Sequence, residues 1–284
     1  MMEEKIAIVG GTGQFGQHLG KNLEDGNEVI ISGKTVEHAE VVAEDYGWDY
    51  GESAEIVKDA DVVIIAVPIA VTVDVIDEVG PHVSEDALLC DITSVKKKPV
   101  EAMKKYSDEV LGMHPMYAPS NSIEGQKVVL TPEKGKKWTL METLWMDSGV
   151  DIHVTDPESH DKAMSIVQGL MHFSELVVAE TIRKADMTGS DMEEYSSPVY
   201  QFITDLTARM LNQKPGLYGN IQAENPENEY VRESFIDSAQ EIRELIGDDE
   251  AFAEKFEELG EEFDLEGAQK RTDMVIEFLS DEVR

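Results

Sequence analysis

The sequence contains very little cysteine and no long apolar segment. Its single cysteine, Cys90, cannot form an internal disulfide. It lies in the apolar run at 87–90, where we expect a buried structural thiol rather than a nucleophile. The longest apolar stretch, residues 62–73, is interrupted by Pro68 and Thr72, whereas a membrane-spanning helix needs about 20 apolar residues. The sequence therefore predicts neither a disulfide scaffold nor a membrane protein.

Positive charge is also scarce. The chain has 24 lysines and arginines against 59 aspartates and glutamates, which gives a formal net charge of −35. This charge argues against nonspecific binding to nucleic acids or anionic membranes, because both require a basic surface. A salt-adapted surface and ordinary acidic solubility are both consistent with it. The amino-terminal segment carries acidic residues and enters a strand at once, unlike a signal peptide, so we expect a cytoplasmic location.

The 284 residues, 41% of them hydrophobic, are sufficient for two globular domains. Short apolar strands alternate with helical segments as far as Val154, and the periodicity after it is helical. We predict an α/β domain at 1–155 and an all-helical domain at 156–284. Asp156 as helix cap and Pro157 in the first turn mark the change. Further helices are expected to begin near Thr131, Pro198, Pro226 and Asp248.

A glycine-rich turn follows the first predicted strand. The sequence GGTGQFG contains the G-x-G-x-x-G pattern between a strand and a helix, where glycines permit a tight turn and helix N–H groups can hold a pyrophosphate. A later buried strand, at 60–67, should end at the same ligand-binding edge, so Val67 and Pro68 are expected to pack under the ribose or nicotinamide. The alternative is that Pro68 only terminates the strand. We predict a Rossmann-type dinucleotide site that includes Gly11, Thr12, Gly13, Gln14, Phe15 and Gly16.

The end of the second strand, near Ile31, indicates which cofactor binds. An NAD enzyme usually offers a carboxylate there to the ribose 2′-hydroxyl, whereas a 2′-phosphate requires hydrogen-bond donors and a cation. This chain has Ser32 and Lys34 and no acid at that position. We therefore expect NADP in preference to NAD. The alternative is that Lys34 is an ordinary surface lysine and that NAD binds.

The segment VLGMHPMYAPS, at 110–120, contains the candidate catalytic histidine. Pro115 favours an extended backbone at His114, and the apolar residues before it predict a strand that ends at Met113. The imidazole should then lie just past the carboxyl end of a strand, where open α/β sheets bind ligands. A neutral imidazole can accept a proton near neutral pH, and we expect Met113 among the residues that form a dry pocket around it. The alternative is a histidine that only packs.

Several stretches together resemble the prephenate dehydrogenase (TyrA) family. The combination is specific, and the resemblance covers most of the chain, to about Tyr218. No further segment is recognisable before Lys5 or after the helices, so we expect a monofunctional enzyme. The matching stretches are GGTGQFG with its strand, DITSVK at 91–96, LGMHPMYAPS at 111–120, HDKAMSIVQGLMHF at 160–173 and SSPVYQFITDLTAR at 196–209.

The resemblance implies oxidative decarboxylation of prephenate to 4-hydroxyphenylpyruvate in tyrosine biosynthesis, without a metal. His114 corresponds to the catalytic histidine that accepts the proton of the ring hydroxyl. Ser94 corresponds to a serine that binds near that hydroxyl, and Arg209 to an arginine that grips a substrate carboxylate. His172 matches a histidine of the substrate pocket, although a core histidine is the alternative from the residues alone. Lys96 matches the motif lysine, which we expect to contact the substrate.

The resemblance also implies a homodimer formed by the helical domain, with the active site between the two domains. Three other functions remain open at this point. One is arogenate dehydrogenase, since no residue of the sequence separates prephenate from arogenate. Another is a hydroxyacid or imine reductase that uses the lysines at 96–98 as acid. The third is a nonenzymatic NADP-binding sensor in which His114 and Arg209 are structural. Feedback inhibition by tyrosine is likewise left open.

Overall fold

A computed structural model describes residues 3–185, 191–192 and 194–282. The chain divides into two compact units. The first contains the residues up to Ser165 together with Gly219–Pro226, and the second contains Ile166–Tyr218 and the residues from Glu227 onwards. The predicted functional boundary between residues 155 and 156 stays a prediction, because compact units and functional domains are different kinds of division.

An eight-stranded sheet forms the centre of the first unit. Across the sheet the order is β3-β2-β1-β4-β5-β6-β7-β8. The β6–β7 pair is antiparallel, and the other neighbouring pairs are parallel. The order reverses between β1 and β4, and open α/β sheets bind ligands at the carboxyl ends of the strands beside such a reversal. The strands are β1 (Lys5–Val9), β2 (Glu28–Ser32), β3 (Asp49–Tyr50), β4 (Val62–Ile65), β5 (Leu88–Asp91), β6 (Glu109–Pro115), β7 (Lys127–Lys134) and β8 (Asp151–Val154).

Two apolar clusters cover the faces of this sheet. One includes Leu19, Ile31 and Trp145, and the other includes Ile76 and Met103. All four residues of β4 and all four of β5 are buried, as expected for strands covered on both faces. The predicted α/β fold is thus confirmed. The helices of this part of the chain are α1 (Gln14–Leu23), α2 (Val36–Tyr46), α3 (Ser53–Ile56), α4 (Ile69–Val79), α5 (Lys97–Met103), α6 (Trp138–Asp147) and α7 (Pro157–Met164), with a 3-10 turn at Gly80–His82.

After α7 the regular elements of the described residues are all helical, and most of them belong to the second unit. Ser197 caps the helix Pro198–Leu211 (α9) by accepting from the N–H of Tyr200, and Asp248 caps the helix Asp249–Gly260 (α12) by accepting from that of Ala251. These two predicted helix starts are confirmed. None of the described helices combines the length and the apolar character that crossing a membrane requires. A π-helical turn at Ser165–Leu170 is followed by α8 (Met171–Lys184), α9 (Pro198–Leu211), α10 (Pro215–Glu224), α11 (Glu227–Leu245), α12 (Asp249–Gly260) and α13 (Leu265–Glu282).

The structure corrects two predicted elements around β6 and β7. The helix predicted between these strands is present, but its predicted start near Thr131 is wrong, because β7 continues to Lys134 and α6 begins at Trp138. Pro132 lies opposite the irregularity in the β6–β7 register, and proline is tolerated in a sheet at such a site. The expectation that His114 lies past its strand is also wrong, because antiparallel pairing with β7 extends β6 through His114.

Candidate active site

Two glycines of the glycine-rich segment, Gly10 after β1 and Gly16 in the first turn of α1, have no space for a side chain. Gly10 has a φ of +86°, and a β-carbon on it would lie 2.6 Å from the carbonyl oxygen of Ala66. A β-carbon on Gly16 would lie 2.6 Å from the carbonyl oxygen of Gly10. Gly13 is the cap of α1 and supplies no side-chain hydrogen bond, so the first N–H groups of this helix remain for a phosphate. The turn therefore fits a dinucleotide. Sequence reasoning missed the role of Gly10, although its position directly after β1 was a signal.

The residues predicted to select the cofactor differ in their accessibility. The Ser32 hydroxyl is buried and lies 2.9 Å from the Ser53 hydroxyl. Lys34 follows the end of β2 and is exposed. Thr12 packs against Gly33, since a β-carbon there would lie 2.6 Å from the Thr12 methyl group. Lys34 is thus the exposed cation of this segment, whereas the Ser32 hydroxyl already has a partner.

The other predicted cofactor contacts lie just after β4 and at the start of α1. Val67 follows β4 and is half-buried, with Cγ1 2.8 Å from where a β-carbon on Gly10 would lie. Pro68 is exposed and precedes α4. Gln14 and Phe15 lie in the first turn of α1. These positions adjoin the glycine-rich turn, and their contact with a cofactor stays a prediction.

An aromatic cluster joins the start of α1 to the loop after β6. The Phe15 and Tyr117 ring centroids are 5.8 Å apart, and Nε2 of His18 lies 3.3 Å from the Tyr117 hydroxyl. Burial lowers the pKa of His18 and raises the pKa of Tyr117. The helix that follows the glycine-rich turn is thereby packed against the loop that follows His114. Sequence reasoning did not identify His18, which carries no recognisable motif.

His114 is buried at the end of β6. Its Nδ1 lies 2.9 Å from Nε2 of His160 on α7. Burial, with contributions of the same sign from His160 and Lys96, holds the pKa of His114 well below its ordinary value. The expected contribution of Met113 to its pocket is wrong, because successive side chains of a strand point to opposite faces. Met113 lies in the opposite apolar cluster, with its sulfur 3.5 Å from Nε1 of Trp145.

A chain of hydrogen bonds continues from His160 into the interior. Its Nδ1 lies 2.8 Å from Oδ1 of Asp161. Oδ1 of Asp161 also accepts from the N–H of Lys96 at 2.7 Å, and Oδ2 accepts from the N–H of Lys97 at 3.0 Å. The Asn225 side chain donates to the Asp161 carbonyl oxygen at 2.7 Å. Asp161 therefore anchors α7 to the start of α5 and orients His160. Burial lowers the pKa of His160, while the hydrogen bond with Asp161 opposes the change.

Lys96 forms a wholly buried ion pair. Its ammonium lies 2.5 Å from Oδ2 of Asp91 and 2.7 Å from the carbonyl oxygen of Met113. Asp91 also accepts from the N–H and hydroxyl of Thr93, at 2.9 and 2.6 Å. Burial lowers the pKa of Lys96, and Asp91 acts in the opposite direction. Ser94 lies half-buried in the same loop between β5 and α5. Contact of either Ser94 or Lys96 with a substrate stays a prediction.

A pocket in the second unit brings the remaining two predicted residues together. Arg209 on α9 and His172 on α8 both line it, and its volume is about 170 Å³. The His172 ring meets the Tyr218 ring edge-on, with centroids 4.7 Å apart. Burial lowers the pKa of His172 and raises the pKa of Glu175. The lining is completed by Glu175, Leu206, Met210, Gln213 and Tyr218.

Sequence reasoning missed Asp91, His160 and Asp161 as site residues. Two signals were present. Asp91 is a carboxylate at the carboxyl end of a buried strand, which is the ligand-binding edge. His160 and Asp161 are adjacent ionisable residues in the helix that Asp156 caps, and both are buried.

Two family models together match most of the chain. The model described as prephenate dehydrogenase, nucleotide-binding domain, matches residues 19–154. The model described as prephenate dehydrogenase, dimerization domain, matches residues 156–262. The first of these shows that the sheet-containing part is a nucleotide-binding domain.

Curated relatives agree with these matches. A probable arogenate/prephenate dehydrogenase of Methanocaldococcus jannaschii is 35% identical over 274 residues, which are 91% of this chain and 60% of that protein. The T-protein of Haemophilus influenzae is 30% identical over 278 residues, which are 89% of this chain and 69% of that protein. The chain thus spans 60% and 69% of the lengths of these two relatives.

Solved structures share the fold. The crystal structure of prephenate dehydrogenase from A. aeolicus, in complex with hydroxyphenyl propionate and NAD+, has a TM-score of 0.76 and 24% identity, and the match covers 96% of this chain and 99% of that one. Synechocystis arogenate dehydrogenase has a TM-score of 0.73 and 18% identity, over 91% and 98% of the two chains. At these identities the likeness concerns the fold alone.

The lowered pKa of His114 predicts a loss of stability in acid. An unfolded histidine has a pKa near ~6.5, so below that pH the unfolded chain binds a proton that the folded ring does not. The free energy of unfolding should therefore fall, by up to about 1.4 kcal/mol per pH unit, until the folded pKa is reached. We expect a His114→Asn variant to lack this contribution. Urea unfolding of both proteins at pH values between roughly 7 and 5.5 measures it.

The matched control is His82→Asn, at an exposed histidine of the first unit. Its unfolding free energy, measured at the same pH values, is the baseline for the His114→Asn comparison. A pH-independent difference between wild type and His114→Asn would contradict the assignment of a depressed pKa to His114.

Proposed function

Because the chain belongs to the prephenate dehydrogenase family, we propose that it catalyses the oxidative decarboxylation of prephenate to 4-hydroxyphenylpyruvate with a nicotinamide dinucleotide. One observation carries the proposal. His114 is a buried imidazole with a depressed pKa. It lies on β6, and the loop after β6 packs against α1, the helix that follows the glycine-rich turn. Such a ring is neutral at working pH and is able to accept a proton.

A nicotinamide dinucleotide, when bound, would accept the hydride that leaves the ring carbon carrying the hydroxyl. His114 accepts the hydroxyl proton as the carbonyl develops, and a positioned base of this kind typically accelerates a reaction by ~10²–10⁴. Loss of carbon dioxide from the resulting dienone then gives an aromatic phenolate, which takes a proton back through His114, so no covalent nucleophile is required. Ser94, half-buried in the loop between β5 and α5, is proposed to bind near the same hydroxyl.

Lys96 acts on this step from the interior. Its enclosed ammonium would have to leave Asp91 and the Met113 carbonyl to touch a substrate, and separating a buried ion pair is costly. From its buried position it disfavours positive charge on His114. We therefore assign Lys96 the task of keeping the base neutral before the reaction.

Arg209 is proposed to bind a substrate carboxylate, with His172 beside it in the same pocket. A guanidinium can donate two parallel hydrogen bonds to a carboxylate, which a lysine cannot do. Glu175 lines this pocket as well and would accept a hydrogen bond from an ammonium group. Arogenate carries an amino group where prephenate carries a keto group, and one relative is named an arogenate/prephenate dehydrogenase. Arogenate is accordingly the second candidate substrate.

A homodimer formed by the helical part of the chain belongs to the same proposal. The family model that matches residues 156–262 is described as a dimerization domain. The second unit also exposes large apolar side chains, of which Phe256 is 72%, Phe263 70% and Phe278 63% exposed. Aromatic side chains are enriched at protein–protein interfaces.

The central test measures turnover through the absorbance of the reduced nicotinamide. We expect wild type to oxidise prephenate or arogenate, and His114→Asn to lose about 10²–10⁴ in kcat because the base is removed. Cofactor affinity of the variant should be unchanged, and His82→Asn should retain full activity. An unchanged rate in His114→Asn would contradict the mechanism. Cofactor binding by wild type without turnover of either substrate would favour a nonenzymatic sensor.

Arg209→Ala tests the carboxylate contact. A hydrogen bond between charged groups is present in the ground state and the transition state alike, so we expect KM for the substrate to rise about 10- to 100-fold with little change in kcat. Arg183→Ala is the matched control, since Arg183 is exposed on α8 and pairs with Glu180 of the same helix. Equal KM values in the two variants would exclude Arg209 as the carboxylate-binding residue.

NADP is the proposed cofactor, supported by the exposed Lys34 at the end of β2 and by Ser32, Gly33 and Thr35 around it, none of which is an acid. We expect kcat/KM to be higher with NADP than with NAD. Lys34→Ala should lower the NADP value about tenfold and leave the NAD value unchanged, because it removes a charged hydrogen bond to the 2′-phosphate. Lys58→Ala, at an exposed lysine that pairs with Glu55, is the control. Equal wild-type values for both cofactors would contradict the proposal.

A further inference from the structure

His160 and Asp161 have no part in the reaction as described so far, yet His160 contacts the catalytic base directly and Asp161 contacts His160. His160 is 1% exposed and Asp161 is 3% exposed. Nδ1 of His114 lies 2.9 Å from Nε2 of His160, and Nδ1 of His160 lies 2.8 Å from Oδ1 of Asp161. Three buried groups are thus connected in series. The positions of their protons follow from the groups at the far end.

Asp161 determines which atom donates and which accepts in each hydrogen bond of this series. Its two oxygens accept from the backbone N–H groups of Lys96 and Lys97, and an ionised carboxylate only accepts. Nδ1 of His160 must therefore carry a proton and donate it. Burial keeps this ring neutral, and a neutral imidazole has one ring proton, so Nε2 of His160 is an acceptor.

The same reasoning then applies to His114. Because Nε2 of His160 accepts, Nδ1 of His114 must donate, and the lone pair of the neutral ring is on Nε2. We propose that His160 and Asp161 are positioning residues that hold His114 in the tautomer with its proton on Nδ1, so that Nε2 is the atom that receives the substrate proton. The inference rests on the function proposed above.

The series also provides a site for the charge that the reaction creates. When Nε2 of His114 receives the hydroxyl proton, the proton on Nδ1 can pass to Nε2 of His160. His114 is then neutral again, and His160 is an imidazolium whose Nδ1–H remains bonded to the Asp161 carboxylate. Asp161 and Asp91 favour positive charge on His160. Lys96 disfavours positive charge on both rings.

The charges of the cluster support this direction of transfer. Before the reaction the cluster contains one ammonium, on Lys96, and two carboxylates, on Asp91 and Asp161, with both imidazoles neutral. Arrival of one proton makes the sum of these charges zero. A buried cluster is more stable when its charges are balanced and hydrogen-bonded.

The first test reads the tautomer without any turnover. The ring nitrogens of protein labelled with ¹⁵N-histidine are observed by NMR at neutral pH, and the His114 signals are assigned by their loss in His114→Asn. We expect Nδ1 of His114 to be protonated and Nε2 to be unprotonated. A proton on Nε2 would overturn the proposal. This result stands whether or not prephenate is the substrate, so it is separable from a failure of the proposed function.

The second test uses two substitutions of His160. His160→Gln keeps an oxygen that can accept from Nδ1 of His114, whereas His160→Phe keeps the ring size and removes the acceptor. We expect His160→Phe to lose about 100-fold or more in kcat, with KM for substrate and cofactor within about threefold of wild type. His160→Gln should recover at least about tenfold of that loss. His153→Phe, at an exposed histidine on β8, is the control.

A merely structural role would give a different pattern. It predicts that both His160 variants lose thermal stability and that any loss of activity follows the folded fraction, with no difference in kcat per folded molecule. That pattern, or a wild-type kcat in His160→Phe, would overturn the proposal. If neither His160 variant folds, the ¹⁵N measurement on wild type decides alone.

Discussion

The parallel register of four strands determines what lies near His114. Val9 of β1 pairs with Ile65 of β4, Ile65 pairs with Asp91 of β5, and Asp91 pairs with Gly112 of β6. The carboxyl ends of these four parallel strands therefore lie side by side at the same edge of the sheet. The glycine-rich turn follows β1, Val67 follows β4, the loop with Ser94 and Lys96 follows β5, and β6 carries His114 two residues beyond Gly112. The site is assembled by backbone pairing before any side chain is considered.

Some parts of this arrangement are readable from the sequence and others are not. The strand, glycine turn and helix are local in the chain and were predicted correctly. The sequence predicts the correct edge of the sheet for His114 but not its position within β6, because the pairing with β7 that extends β6 is a tertiary contact. Pro132 is equally compatible with a helix start and with an irregular strand pair, and only the partner strand decides between them. The expectation that Met113 lines the pocket of His114 fails for the same reason, since the alternation of side chains continues as far as the strand does.

The hydrogen-bonded neighbours of His114 were beyond sequence reasoning because they are distant in the chain. His160 is separated from His114 by 46 positions, and Asp161 from Lys96 by 65. Each of these residues has an ordinary explanation when read locally: a helix with an apolar face, or a lysine near a helix start. Ser32 shows the converse, because its position at the end of β2 suggests a cofactor contact while its hydroxyl binds Ser53. Burial of polar groups requires partners, and the identity of those partners is a property of the folded chain.

The strongly acidic composition and the proposed anionic ligands are compatible because the two act at different distances. Most of the carboxylates that produce the net charge of −35 can only lie on the surface, where salt screens them over about 10 Å. Lys96, Asp91, Asp161 and His160 are buried, so their fields at His114 are much less screened. The protonation of the base is therefore set first by burial, and His160 and Lys96 act in the same direction. A surface charge can change widely in this protein without altering the proton affinity of His114, provided that these four groups keep their contacts.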